Sequence, residues 1–181
     1  LGRLLKDARA NTLAIGAASI IPLVGLVGGG VDASRMYLTR EALEQATSYE
    51  VSKYRAERYR SQLQPERIID LGCSVGGDTL ALAGAAATTG IDRDLTRLSM
   101  ARANLDALTE MSEHPLAGAV DFLQADLTHP LPLAASASTA LFFDPARRAD
   151  HRRVFSVSDY QPALQVIRDW LPDFPALGVK L

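Results

Sequence analysis

The spacing of apolar and polar positions changes twice along this chain of 181 residues. From Asn11 to Val31 no residue is charged, and Leu, Ile, Val, Ala and Gly fill most positions. About 20 apolar residues in a helix match the hydrocarbon core of a bilayer. The segment at about 12–31 is therefore expected to be a membrane-crossing helix. Arg3, Lys6 and Arg9 precede it, and Asp32 and Arg35 follow. The basic flank predicts an N-terminus inside and the remainder outside. Pro22 and the run Gly28-Gly29-Gly30 are tolerated in membrane helices. A buried Gly/Ala-rich helix and a signal-type segment are the competing readings.

The second change comes near Tyr37. Thr39 can cap a helix beginning at Arg40, with Glu41 and Glu44 in its first turn. Leu43, Ala46, Val51, Tyr54 and Ala56 give it a loose apolar stripe, and Pro65 ends the approach to the next element. Short apolar runs then alternate with helical periodicity. Arg67-Ile68-Ile69-Asp70 reads as a buried strand, and Asp78 to Ala87 as an Ala/Leu-rich helix. Thr88 to Asp92 is a second strand. Leu95, Leu98, Met100, Ala101, Leu105 and Leu108 mark a second helix. Ala119 to Leu123 and Thr139 to Phe143 are further strands, Gln161 to Trp170 a helix and Ala176 to Leu181 a fifth strand. Strands alternating with helices predict an α/β fold with a covered parallel sheet.

Ligands of such sheets bind beyond the carboxyl ends of the strands. Asp70, Asp92, Asp126 and Asp144 all fall at those ends. Each alone could be a turn-favouring residue, but four in succession would face one crevice. Asp92 also lies 22 residues beyond Asp70, near the offset at which an acid takes ribose hydroxyls.

Composition narrows the chemistry. The net charge of −2 makes the chain as a whole no generic polyanion binder. A single cysteine, Cys73, excludes an internal disulfide and a cysteine-based zinc site. His114, His129 and His151 lack ligand-like spacing, so no metal is expected. Dinucleotide binding needs G-x-G-x-x-G, whereas this loop reads Gly72, Ser74 and Gly77. An acid at Asp70 would also repel phosphates. S-adenosylmethionine carries no phosphate but has a sulfonium and an ammonium, which suit an acid in the first loop.

Residues 37–181 resemble class I S-adenosylmethionine-dependent methyltransferases. They are most similar to the bacterial group that ends in a THUMP-like domain. The resemblance is carried by Leu38 to Thr47, Asp70-Leu71-Gly72-Cys73-Ser74-Val75-Gly76-Gly77-Asp78, Gly90-Ile91-Asp92-Arg93-Asp94, Ala125-Asp126 and Phe143-Asp144-Pro145-Ala146-Arg147-Arg148. Asp159-Tyr160, Pro162 and Gly178-Val179-Lys180 fit as well. It implies a Rossmann-like methyltransferase sheet, here reaching about five strands. It implies that Asp70, Gly72 and Gly76 line the methionine part of the cofactor, and that Asp92, with Arg93 beside it, binds the ribose. Asp126 and Leu127 would meet the adenine, and Asp144-Pro145 would border the methyl-acceptor pocket as the catalytic pair. Ser74 stands in the cofactor loop where the family usually has glycine, at a position that asks for positive φ. Cys73 reads as a small buried residue rather than a nucleophile. No aromatic follows Asp144-Pro145 to stack a flipped base, so the target atom stays open. Arg147, Arg148, His151, Arg152 and Arg153 form a basic patch. RNA phosphates are one expected partner for it, and a solvated loop paired with Asp150 and Asp144 is the other.

Residues 3–37 resemble a different family. Asn11 to Ile15 and Gly25-Leu26-Val27-Gly28-Gly29-Gly30-Val31-Asp32-Ala33-Ser34-Arg35 look like the N-terminal anchor of TadG-like pilus-assembly proteins. The expected division is thus an anchor over residues 1–36 and a partial methyltransferase domain over 37–181. The two halves conflict, because a catalytic half outside the membrane would lack a cofactor made in the cytoplasm. The leucine start and the strand-like end suggest a fragment, and two joined reading frames meeting near Ser34–Leu38 would resolve the conflict. Opposite insertion, with the methyltransferase part cytoplasmic, and packing of the segment as a buried or surface helix are the alternatives. A non-enzymatic envelope anchor is the second function expected.

Overall fold

The computed structural model describes residues 37, 47–111, 118–145, 148–149, 152–153, 160–174 and 176–180. Helix α1 (Tyr49–Arg58) runs into a π-helical turn at Tyr59–Leu63. Then come β1 (Arg67–Leu71), α2 (Gly77–Leu82), β2 (Ala87–Asp92), α3 (Leu95–Met111), β3 (Val120–Gln124) and β4 (Thr139–Phe143). A two-residue pair, β5 (Arg148–Ala149) and β6 (Arg152–Arg153), precedes a 3-10 turn at Leu164–Val166, α4 (Ile167–Trp170) and β7 (Ala176–Val179). The main sheet has five parallel strands in the order β3-β2-β1-β4-β7. Strand order therefore reverses between β1 and β4, which is where such sheets open a ligand crevice.

The sheet is buried on both faces, so its inner strands read as unbroken apolar runs. Alternate residues feed two cores. Ile69, Leu71, Ile91, Leu141 and Phe143 pack with Leu127, Trp170 and Phe174 on one face. The Phe143 and Trp170 rings meet edge to face at 5.0 Å. Ile68, Ala140 and Phe142 pack with Ala56, Tyr59, Leu82 and Ala86 on the other.

The expected strands form within one or two residues of their predicted bounds. Three readings need correction. The apolar stripe assigned to the first helix is right at Ala56, which is buried, but wrong at Val51 and Tyr54, which are half or more exposed, while Ser52 and Tyr59 face inward with Ala56; Leu43 and Ala46 lie outside the described residues. The inward face accepts Ser52 because its hydroxyl donates to Asp78 Oδ1 at 2.7 Å. The helix expected over Gln161–Trp170 forms only as the 3-10 turn and the four-residue α4, and α2 ends five residues short of Ala87. The Thr39 cap, the helix start at Arg40 and the apolar segment 12–31 lie outside the described residues. Among the described residues no helix is long and apolar enough to cross a membrane.

Tyr59 ties α1 to the sheet, its hydroxyl donating to the Leu141 carbonyl at 2.6 Å. A Cβ at position 178 would fall 2.5 Å from that hydroxyl, which explains Gly178 on β7. Burial pushes the Tyr59 phenol up to about 12, so it remains a donor at any ordinary pH. Tyr59→Phe is expected to cost about 1–2 kcal/mol, the worth of a buried hydrogen bond with its abandoned acceptor. A thermal melt lowered by a few degrees checks this, and an unchanged melt would speak against the bond.

Candidate functional site

The carboxyl ends of β1, β2 and β4 are tied together by main-chain bonds. Gly72 N and Cys73 N both donate to the Ile91 carbonyl, at 2.8 and 3.0 Å, and Asp144 N donates to the Leu71 carbonyl at 3.1 Å. The loop from β1 to α2 turns through positive φ at Gly72 (86°), Ser74 (52°) and Gly76 (87°). Ser74 thus adopts the left-handed conformation that a glycine would take without strain. Its N–H donates to Asp92 Oδ2 at 3.0 Å, and Asp94 N donates to Asp92 Oδ1 at 2.9 Å. Asp92 therefore braces the loop with both carboxylate oxygens, each keeping acceptor capacity for a further donor. Asp94 in turn caps α3 through Thr96 N at 2.8 Å and Arg97 N at 3.2 Å.

Asp70 is 1% exposed. Its Oδ2 accepts from the Thr79 hydroxyl at 2.5 Å, and its buried Oδ1 has no hydrogen-bond partner among the described residues. Desolvation, with the Asp78 carboxylate adding to it, pushes the Asp70 carboxyl up to about 8. Asp78 is the hub beside it. It accepts from Thr47 Oγ1 at 2.8 Å, from Ser52 Oγ at 2.7 Å and from Arg55 Nη1. The Arg55 guanidinium also lies 4.2 Å from the centre of the Phe142 ring. Lys180, just past β7, places its Nζ 2.6 Å from Asp144 Oδ2 and 3.9 Å from Asp78 Oδ2. A chain of charges thus runs from α1 to the end of β4.

The remaining sequence candidates are less gathered. Asp126 lies two residues beyond β3, is exposed, and closes its own turn by accepting from Thr128 N at 2.9 Å and Thr128 Oγ1 at 2.7 Å. Those two bonds hold its carboxyl below the usual range. Leu127 is buried in the core under the sheet. Arg93 is exposed, and its carbonyl accepts from Gln124 Nε2 at 3.0 Å. Pro145 is buried next to Asp144. Arg147 and His151 lie outside the described residues. The backbones of Arg148 and Arg153 pair in β5 and β6, a hairpin the sequence pattern did not announce. Cys73 is buried, which pushes its thiol well above its ordinary range and leaves it no nucleophile. Among the described residues no group of side chains could hold a metal ion.

Asn104 was missed in the sequence. It is 1% exposed on α3. Its Nδ2 donates to the Val75 carbonyl at 2.9 Å and to the Tyr37 carbonyl at 3.1 Å, while Tyr37 N donates to Oδ1 at 2.6 Å. The signal was available: Asn104 shares the helical face of Ala101, Leu105 and Leu108, where a polar residue needs partners. Asn104→Ala is expected to cost about 2–3 kcal/mol by stranding the buried Val75 carbonyl. Urea denaturation measures this, and a change under about 0.5 kcal/mol would argue against the brace.

Comparison with known proteins agrees with this architecture. An uncharacterized S-adenosylmethionine-dependent methyltransferase of Mycobacterium tuberculosis (strain CDC 1551 / Oshkosh) is 37% identical over 140 residues, 77% of this chain and 35% of that protein. A relative from strain H37Rv gives the same figures. The chain thus spans about a third of the length of the curated relatives it matches. The crystal structure of a candidate methyltransferase from Porphyromonas gingivalis W83 superposes with a TM-score of 0.64 at 28% identity, covering 84% of this chain and 35% of that one. The described body has the Rossmann-like fold of class I methyltransferases, with five parallel strands. Residues 11–47 match the family model of Flp pilus-assembly TadE/G-like proteins. That match covers about a fifth of the chain and continues past the junction expected near Ser34–Leu38.

Proposed function

We propose that residues 37–181 bind S-adenosylmethionine and transfer its methyl group to RNA or another nucleobase-containing acceptor. The observation that carries this reading is the crevice at the ends of β1, β2 and β4. There the loop 72–77 bends through three left-handed residues between two buried acids, Asp70 and Asp92. The orphaned Oδ1 of Asp70 fits a cationic ligand, not a phosphate. S-adenosylmethionine, when bound, supplies a methyl group already activated by its sulfonium. The protein's task is then positioning. Asp70, Gly72, Ser74 and Gly76 would hold the methionine end, Asp92 and Arg93 the ribose, and Asp126 and Leu127 the adenine edge. Asp144, oriented by Lys180, would accept a hydrogen bond from the acceptor group, with Pro145 shaping that side. Similarity to the THUMP-bearing bacterial group is part of the same proposal.

The test is thermal stabilisation of the full chain by S-adenosylmethionine or S-adenosylhomocysteine, with transfer of labelled methyl groups to RNA. Neither stabilisation nor transfer would overturn the reading. Arg147 and Arg148 would grip RNA phosphates, so the Arg147→Ala/Arg148→Ala protein is expected to bind RNA with a shallower salt dependence. An unchanged slope removes the RNA role.

A second reading rests on the pilus-assembly match at residues 11–47. In it the segment 12–31 anchors an envelope protein in a membrane, and the chain needs no cofactor. A topology reporter separates the two: a methyltransferase requires residues 37–181 in the cytoplasm.

A further inference from the structure

At the carboxyl end of β1, among the described residues, Asp70, Asp78 and Asp144 lie close to Arg55 and Lys180. Asp78 is engaged by Arg55, and Asp144 by Lys180, whose Nζ also lies 3.9 Å from Asp78. Asp70 makes no hydrogen bond to either base. Oδ2 takes only the neutral Thr79 hydroxyl, and Oδ1 is buried without a partner among the described residues. Among the described residues, the other titratable groups beside it are the Tyr59 phenol and the Cys73 thiol, both of which burial pushes up. An ionised Asp70 would therefore be a charge only 1% exposed, with one neutral hydroxyl as its hydrogen-bond donor among the described residues. An uncompensated buried charge is costly, and such a group stays neutral instead.

We infer that Asp70 is the neutral acid in the free protein and releases its proton to solvent when a cationic cofactor fills the crevice. The inference rests on the S-adenosylmethionine reading above. The proton lost from the carboxyl goes to the buffer, and the ligand's ammonium supplies the missing positive charge. S-adenosylhomocysteine also carries that ammonium, so it is a sufficient probe. The rise of the Asp70 carboxyl to about 8 sets the window. Below that pH binding must expel a proton, and affinity climbs as pH rises. Above it there is no proton left to expel.

The experiment is isothermal titration of the full chain with S-adenosylhomocysteine at about pH 6.5, well below the raised carboxyl value, in two buffers of unlike ionisation enthalpy. About one proton released per ligand is expected for the wild type, and close to none for Asp70→Asn. Equal release by both proteins, or binding without release, overturns the inference and leaves the cofactor reading standing. No binding at any pH takes away the reading and the inference together. Should Asp70→Asn fail to fold, carbon-detected NMR titration of the wild-type Asp70 carboxyl decides. A midpoint near 8 supports the inference, and one in the ordinary range near 4 overturns it.

Discussion

Gly72→Ala is expected to destabilise the protein by about 2–5 kcal/mol and to abolish cofactor binding. Two costs add. At φ 86° a Cβ-bearing residue gives up about 1–2 kcal/mol. The new methyl would also lie 2.8 Å from the Asp144 carbonyl oxygen, and overpacking of this kind costs about 1–3 kcal/mol. That carbonyl cannot simply move aside, because Asp144 N is bonded to the Leu71 carbonyl and its side chain to Lys180. Relief would have to come from the loop, which is the part that would approach the ligand. Urea denaturation with S-adenosylhomocysteine titration gives both quantities. A stability within about 0.5 kcal/mol of wild type, with binding kept, would contradict the geometry.

The second large effect is on pH. Burial pushes the Asp70 carboxyl up to about 8 in the folded chain, against an ordinary value of about 4. Between those values the unfolded chain has lost a proton that the folded one keeps. Stability therefore falls as pH rises through this window, and the loss is complete above about 8. This is the reverse of the usual salt-bridged aspartate. Asp126, whose carboxyl is lowered by its turn, acts in the ordinary sense, losing its contribution in acid. At about 1.4 kcal/mol per unit, the Asp70 penalty is on the order of several kcal/mol across the window. Asp70→Asn should flatten the slope and be at least as stable as wild type at pH near 8, since it keeps the shape without the charge. Denaturant midpoints across the window measure it. A slope unaltered by the substitution would assign the pH dependence elsewhere.

How much of this could be read from the residues alone depended on the range of the interaction. The strands were legible because a sheet covered on both faces imposes short apolar runs, and Thr139–Phe143 is one such run. The acids at strand ends were legible for the same reason. The strain at Ser74 was expected from the resemblance to a loop that usually has glycine there, and the residue stands at φ 52°. What the pattern could not convey was which face of α1 turns inward. Val51 and Tyr54 look like core residues, yet Ser52 is buried because Asp78, 26 positions away, offers it a partner. Lys180 beside Asp144 and Asn104 beneath Val75 are likewise contacts between distant parts of the chain. Asp126 stands past the end of β3 as its position in the sequence indicated, while the bonds it accepts from Thr128, two residues on, are a local turn that the strand pattern does not convey.

The hub at Asp78 has a consequence for how the protein can be assayed. Its partners arrive from opposite ends of the body: Thr47, Ser52 and Arg55 before the first strand, Lys180 after the last. No contiguous piece lacking either flank can carry a complete set of charges around the crevice. On the proposed reading, ligand binding would report on the integrity of the whole folded unit, and a preparation nicked or misfolded at either flank is expected to lose binding although its central strands are intact.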